Sequence, residues 1–166
     1  MSGSNIAFKP EEARDSIKEY TGQIIATDYS EEPFDMKGAA EIKRHGKVLC
    51  LKIKADVYEK EQFEWYPPSK VKKTKWLYFI EALIQVGAMK DINPAGATDE
   101  ERMKNFGQSM LGMKFKWEER ECESLVKVTG GGQKKFNVLL PVEYLGKLPI
   151  EAQPQVRQTT VGEELR

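Results

Sequence analysis

Cations and aromatic rings crowd one section of this 166-residue chain: Lys43 and Arg44, Lys52 and Lys54, Trp65 and Tyr66, then Lys70, Lys72, Lys73 and Lys75. Closely spaced cations neutralise phosphates, and aromatic faces stack bases at about 1–3 kcal/mol per base, so this mixture has the chemistry of a single-strand nucleic-acid surface. Trp65 and Tyr66 stand before Pro67-Pro68 and beside the lysines, outside any core periodicity, which makes them the stacking candidates. Phe34, in the first long loop, is a lesser one. Further along, Lys114 and Lys116 share one face of a strand, and Lys134-Lys135 follow a glycine-rich tip that could fold over a bound strand.

Charge supports the same section. The chain has zero formal net charge, yet residues 37–76 hold 11 basic and 5 acidic side chains, whereas residues 1–36 hold 3 and 8. A local basic section on a neutral chain fits a face that meets a polyanion, and it fits an ordinary solvated surface as well.

Other chemistries lack parts. His45 is the single histidine and sits in a turn-like Arg-His-Gly-Lys with no partner at zinc-ligand spacing. Cys50 and Cys122 lie far apart in strand-like segments and read as buried free thiols. Glu118, Glu119, Glu121 and Glu123 are numerous but read as a solvated strand end, since acid-base work needs two carboxyls at a defined separation in a cleft. Gly130-Gly131-Gly132-Gln133-Lys134 stands between two strands, where a hairpin fits better than a phosphate cradle. No enzyme, metal site or cofactor is expected.

The elements that must position these residues follow from periodicity. Lys75 to Gly87 is the helix around which the fold is organised, with Trp76, Phe79, Ile80, Leu83 and Val86 on one side and Gly87 placed to close the last turn. Ahead of it, Ile17–Thr27 reads as a strand bent at Gly22, and Ala39–Arg44 reads as a strand joined through His45-Gly46 to Val48–Val57. In that third strand Leu49, Leu51, Ile53, Ala55 and Val57 share the core face, opposite Cys50, Lys52, Lys54 and Asp56. Gln62–Tyr66 is a further extended piece stopped by two prolines.

After the first helix, Thr98-Asp99-Glu100-Glu101 starts a second one that ends at Leu111-Gly112. Met113–Glu121 and Phe136–Tyr144 are the last strands, with Trp117 assigned to the core and Pro141 suited to an edge. The expected organisation is an arm at 1–14, one domain at 15–147 and a flexible tail at 148–166. No run approaches the roughly 18 apolar residues of a membrane span, and the first residues lack a secretory pattern, so the cytoplasm is the expected compartment.

Three strands, a helix pair and two more strands joined by a glycine-rich hairpin is the element order of an OB-fold. Tyr20-Thr21-Gly22-Gln23-Ile24, Trp76-Leu77-Tyr78-Phe79, Leu111-Gly112-Met113-Lys114-Phe115 and Phe136-Asn137-Val138 together resemble the small phage-type single-stranded-DNA-binding proteins, over about residues 15–146. The resemblance implies a mainly β chain with a helical insertion (α+β), a five-stranded OB-fold-like Greek-key barrel with a helix pair between strands 3 and 4. It also implies non-catalytic binding of single-stranded DNA during phage or mobile-element replication and recombination, with replication or recombination proteins as partners.

The terminal Gly162-Glu163-Glu164-Leu165-Arg166 has acids but lacks the final aromatic through which bacterial single-strand binders recruit enzymes. RNA would meet the same cations and rings as DNA. The expectation from a different class is a β-barrel adaptor that docks proteins and leaves nucleic acid alone.

Overall fold

Alternating apolar residues build the centre of a sheet, and two short amphipathic stretches build the helices that cover it. The computed structural model describes residues 19–35, 42, 44–127 and 130–150. In chain order these form β1 (Glu19–Ser30), β2 (Val48–Ala55), β3 (Gln62–Tyr66), α1 (Lys75–Gln85), α2 (Asp99–Ser109), β4 (Met113–Lys127) and β5 (Gln133–Lys147). The expected arm at 1–14, the start of the first strand at Ile17, residues 39–41 and 43 of the expected second strand, and the tail beyond Ile150 lie outside the described residues.

The five strands make one antiparallel open sheet in the order β3-β2-β1-β4-β5, with the helix pair between the third and fourth strands. β1 is the shared strand: residues 22–30 pair with β2, and residues 19–23 pair with β4. The irregularity in β1 falls at Ile25, since Ile24 faces Ile53 while Ala26 faces Lys52. The expected bend at Gly22 is thus displaced by three residues.

Two expected strands are corrected. Arg44 and His45 form a turn, and the neighbours of β2 are β1 and β3. Gln62–Tyr66, read as a further extended piece, is the true third strand and the hairpin partner of Val48–Ala55. That strand also stops short of Val57, which is 75% exposed in the turn that follows. The core face otherwise holds: Leu49, Leu51, Ile53 and Ala55 are all buried. Each such large aliphatic side chain contributes about 1.5–3 kcal/mol on burial.

α1 begins at Thr74, whose hydroxyl accepts from the Leu77 amide. Trp76, Phe79 and Leu83 are its buried stripe, as their three- and four-residue spacing requires. Gly87, at φ 83°, closes the helix with Ala88 N–H on the Leu83 carbonyl and Gly87 N–H on the Ile84 carbonyl, the paired bonds of a Schellman ending. α2 is capped by Thr98, which accepts from Glu101 N–H at 3.1 Å. Its buried Phe106 lies 5.4 Å from Trp76, ring centre to ring centre, so the two helices share one core.

Spaced about 4.8 Å apart in a flat sheet, β3 and β5 would lie roughly 19 Å from each other. Yet the hydroxyl of Tyr66 in β3 donates to the Leu139 carbonyl in β5 at 2.6 Å. The sheet is therefore strongly curled, its two edges facing each other across the buried aromatic pair Tyr66 and Phe79, which stack at 3.9 Å and 11°. Trp117 is fully buried as expected, its indole N–H donating to the Gly22 carbonyl at 3.2 Å.

Candidate nucleic-acid interface

Neighbouring residues on a strand point to opposite faces, and cross-strand partners share a face. On β2 and β3 this rule sorts the candidates. Cys50 pairs with Trp65 and Lys52 with Phe63, so Lys52, Lys54, Phe63 and Trp65 lie on the outer face, while Leu51 with Glu64 and Leu49 with Tyr66 lie on the inner one. Trp65 and Tyr66 cannot both be outside.

Tyr66 is the correction. It is completely buried, stacked on Phe79 and hydrogen-bonded to Leu139, and burial pushes its phenol well above the usual range. No base can reach it in this fold. Trp65, by contrast, is only partly buried, and the Lys75 ammonium stands 4.0 Å from its ring centre. The ring of His45 lies 5.6 Å away, which brings the exposed Arg44-His45 turn to the same place. Cys50, in register with Trp65, is sealed, and burial raises its thiol to about 12. It is an inert core thiol.

A second aromatic group adjoins the first. Phe63 is 39% exposed on the outer face, and the Phe34 ring meets it edge-on at 5.6 Å and 60°. The Lys52 ammonium lies 5.4 Å from the Phe34 ring centre and 5.7 Å from that of Phe63. Lys54, also outside, donates to the Tyr58 carbonyl at 2.7 Å. In register it continues through Gln23 to Lys114, so those three residues form one row across β2, β1 and β4. Lys114 is partly committed to Asp56 at 3.0 Å.

The remaining cations disperse. Lys116 lies 3.8 Å from Glu118. Lys70 and Lys72 are exposed in the segment before α1, while Lys73 turns to Glu123 at 3.6 Å on the β4–β5 hairpin. Lys72 and Lys73 border a groove of about 470 Å³ with Leu77, Tyr78 and Glu81. Lys134 and Lys135 are exposed near the hairpin tip, with Lys135 4.0 Å from Glu121. Lys43 lies outside the described residues.

Sequence reasoning missed Phe63, although the signal was present in the two-residue alternation of Gln62–Tyr66: once Trp65 is outside, Phe63 is outside with it. Beneath them, Glu64 points inward, where burial raises its carboxyl to about 7 against the opposing pull of Lys75 and with a smaller push from Glu119. No helix is long and apolar enough to cross a membrane among the described residues. No protein-family model, curated protein or solved structure matches the chain.

Proposed function

We propose that this chain is an OB-fold-like Greek-key barrel that binds single-stranded DNA with little sequence preference and no catalysis, serving phage or mobile-element replication or recombination in the cytoplasm. The observation that carries the reading is the outer face of β2 and β3, where Trp65 under Lys75 and Phe63 under Lys52 put stacking surfaces and cations side by side. The order β3-β2-β1-β4 supports the fold, because a Greek key returns its fourth strand to lie beside the first. In OB-folds the face of strands 2 and 3, with the loops after strands 1 and 4, is the surface that binds oligonucleotides. Here the loop after β1 delivers Phe34, Arg44 and His45 to that face. Replication or recombination proteins are the proposed partners.

The test is fluorescence anisotropy of a labelled oligothymidine and of a duplex at low and moderate salt, with Trp65→Ala alongside. Single-strand binding that weakens with salt, and weakens about tenfold or more in Trp65→Ala, is the expected result. No binding at low salt would leave the protein-docking barrel. One observation favours that second reading: Leu125 and Val126 are 52% and 61% exposed on β4.

A further inference from the structure

Phe34 is a surface aromatic held in an uncommon way. Its φ is 53° and that of Asp35 is 60°, so two consecutive residues with side chains occupy the left-handed region. Such backbone is disfavoured for any residue bearing a Cβ, and it persists only where the surroundings hold it. The hold is visible: the Asp28 carboxylate accepts the Phe34 backbone N–H at 2.7 Å. What the turn achieves is the placement of a partly buried ring at an angle to the exposed Phe63, with an ammonium above both.

Phe63 and Trp65 are two residues apart on one face, hence roughly 6.7 Å apart along the strand. That is about twice the 3.4 Å step of a stacked nucleic-acid strand, so the two rings serve two different bases. Lys52 stands over Phe34 and Phe63, whereas Lys75 stands over Trp65. Lys52, resting on the Phe34 and Phe63 rings, is weakly held there, and an arriving phosphate offers it a charge-assisted bond in exchange.

Resting on the single-strand reading above, we infer that Phe34, Phe63 and Lys52 form a nucleotide subsite separate from Trp65. It takes one base against Phe63, with Phe34 closing the side and Lys52 moving from the rings to the phosphate. Asp28 is its positioning residue: it touches no nucleotide and acts by fixing the Phe34 turn.

The experiment titrates labelled oligothymidine into the full chain and into Phe63→Ala, Phe63→Leu, Asp28→Ala and Asp28→Asn, with thermal melting of each. Loss of the Phe63 ring in either variant lowers affinity about tenfold, because leucine keeps the apolar bulk but offers no flat face. Asp28→Ala removes an anion near a phosphate path, and electrostatics alone would tighten binding. The positioning role predicts the opposite, several-fold weaker binding. Asp28→Asn, which keeps an acceptor for the Phe34 amide, restores most of it.

Undiminished binding in folded Phe63→Leu, with Trp65→Ala still impaired, overturns the subsite and leaves the single-strand reading standing. Tighter binding in Asp28→Ala overturns the positioning role. Absence of binding in the parent chain overturns the reading on which both rest.

Discussion

The hydroxyl of Tyr66 donates to the carbonyl of Leu139 at 2.6 Å, joining β3 to β5 where no ladder joins them among the described residues. Removing it by Tyr66→Phe keeps the ring on Phe79 and deletes one buried hydrogen bond, so stability falls by about 1 kcal/mol. Denaturant unfolding checks the loss. Oligothymidine affinity should not change, since the ring faces the core, and a tenfold loss of affinity with intact stability would return Tyr66 to the binding surface.

Salt dependence follows from the cations the fold gathers. Arg44, Lys52, Lys54 and Lys75 belong to the β2–β3 face and its rim, with Lys75 also acting on the Glu64 carboxyl, whereas Lys73, Lys116 and Lys135 lie near carboxylates elsewhere. Four phosphates neutralised on a single strand give a log–log slope of affinity against salt of about −3. Lys52→Ala should flatten that slope by about 0.7. A slope unaffected by Lys52→Ala, measured from 50 to 300 mM salt (an approximate range that keeps counterion release dominant), would place the phosphates off this face.

Glu64 makes stability depend on pH in a stated direction. Burial raises its carboxyl from 4.5 to about 7, so the folded chain holds more protons than the unfolded one between those values. Stability contributed by this residue therefore declines as pH rises through that window and is level above it. Glu64→Gln should be more stable than the parent by up to about 3 kcal/mol at pH 8, with the difference fading toward pH 4. Parallel stability curves across that range would mean that water reaches the carboxylate.

Gly112 joins three segments. Its N–H donates to the Ile24 carbonyl, its carbonyl accepts from Leu148 N–H and from the Gln23 side chain, and its φ is 90°. A Cβ there would stand 2.7 Å from the Leu148 carbonyl oxygen. Gly112→Ala should destabilise the fold by about 2 kcal/mol or more, from backbone strain plus displacement of the last described residues. Thermal melting reads this out, and an unchanged midpoint would contradict the geometry.

What was legible in the sequence is what periodicity encodes. The stripe of Trp76, Phe79 and Leu83, the closing Gly87 and the inner face of Leu49, Leu51 and Ile53 all stand where their spacing puts them. Strand pairing was less legible, because a five-residue strand such as Gln62–Tyr66 carries little pattern and the true neighbour of β2 lies in a distant segment. At the site the same rule separates adjacent Trp65 and Tyr66, because a strand sends neighbours to opposite faces and only Trp65 stands outside. Phe34 lay beyond reach of pattern alone, since its partnership with Phe63 depends on a turn fixed by a single aspartate six residues earlier.

The extra residue at Ile25 sets the phase of the whole first strand. Before it, even-numbered residues face inward, as buried Tyr20 and Ile24 do; after it the parity reverses, so that Ala26 and Asp28 share the outer face with Lys52 and Cys50. If the same residues ran on in unbroken alternation without the bulge, Asp28 would turn its carboxylate toward the core, away from the Phe34 amide. An insertion that looks like a flaw in the ladder is thus a one-residue frameshift, and it is what sets Thr27 and Tyr29 against inward-facing Leu51 and Leu49 while leaving Asp28 outside, in reach of Phe34.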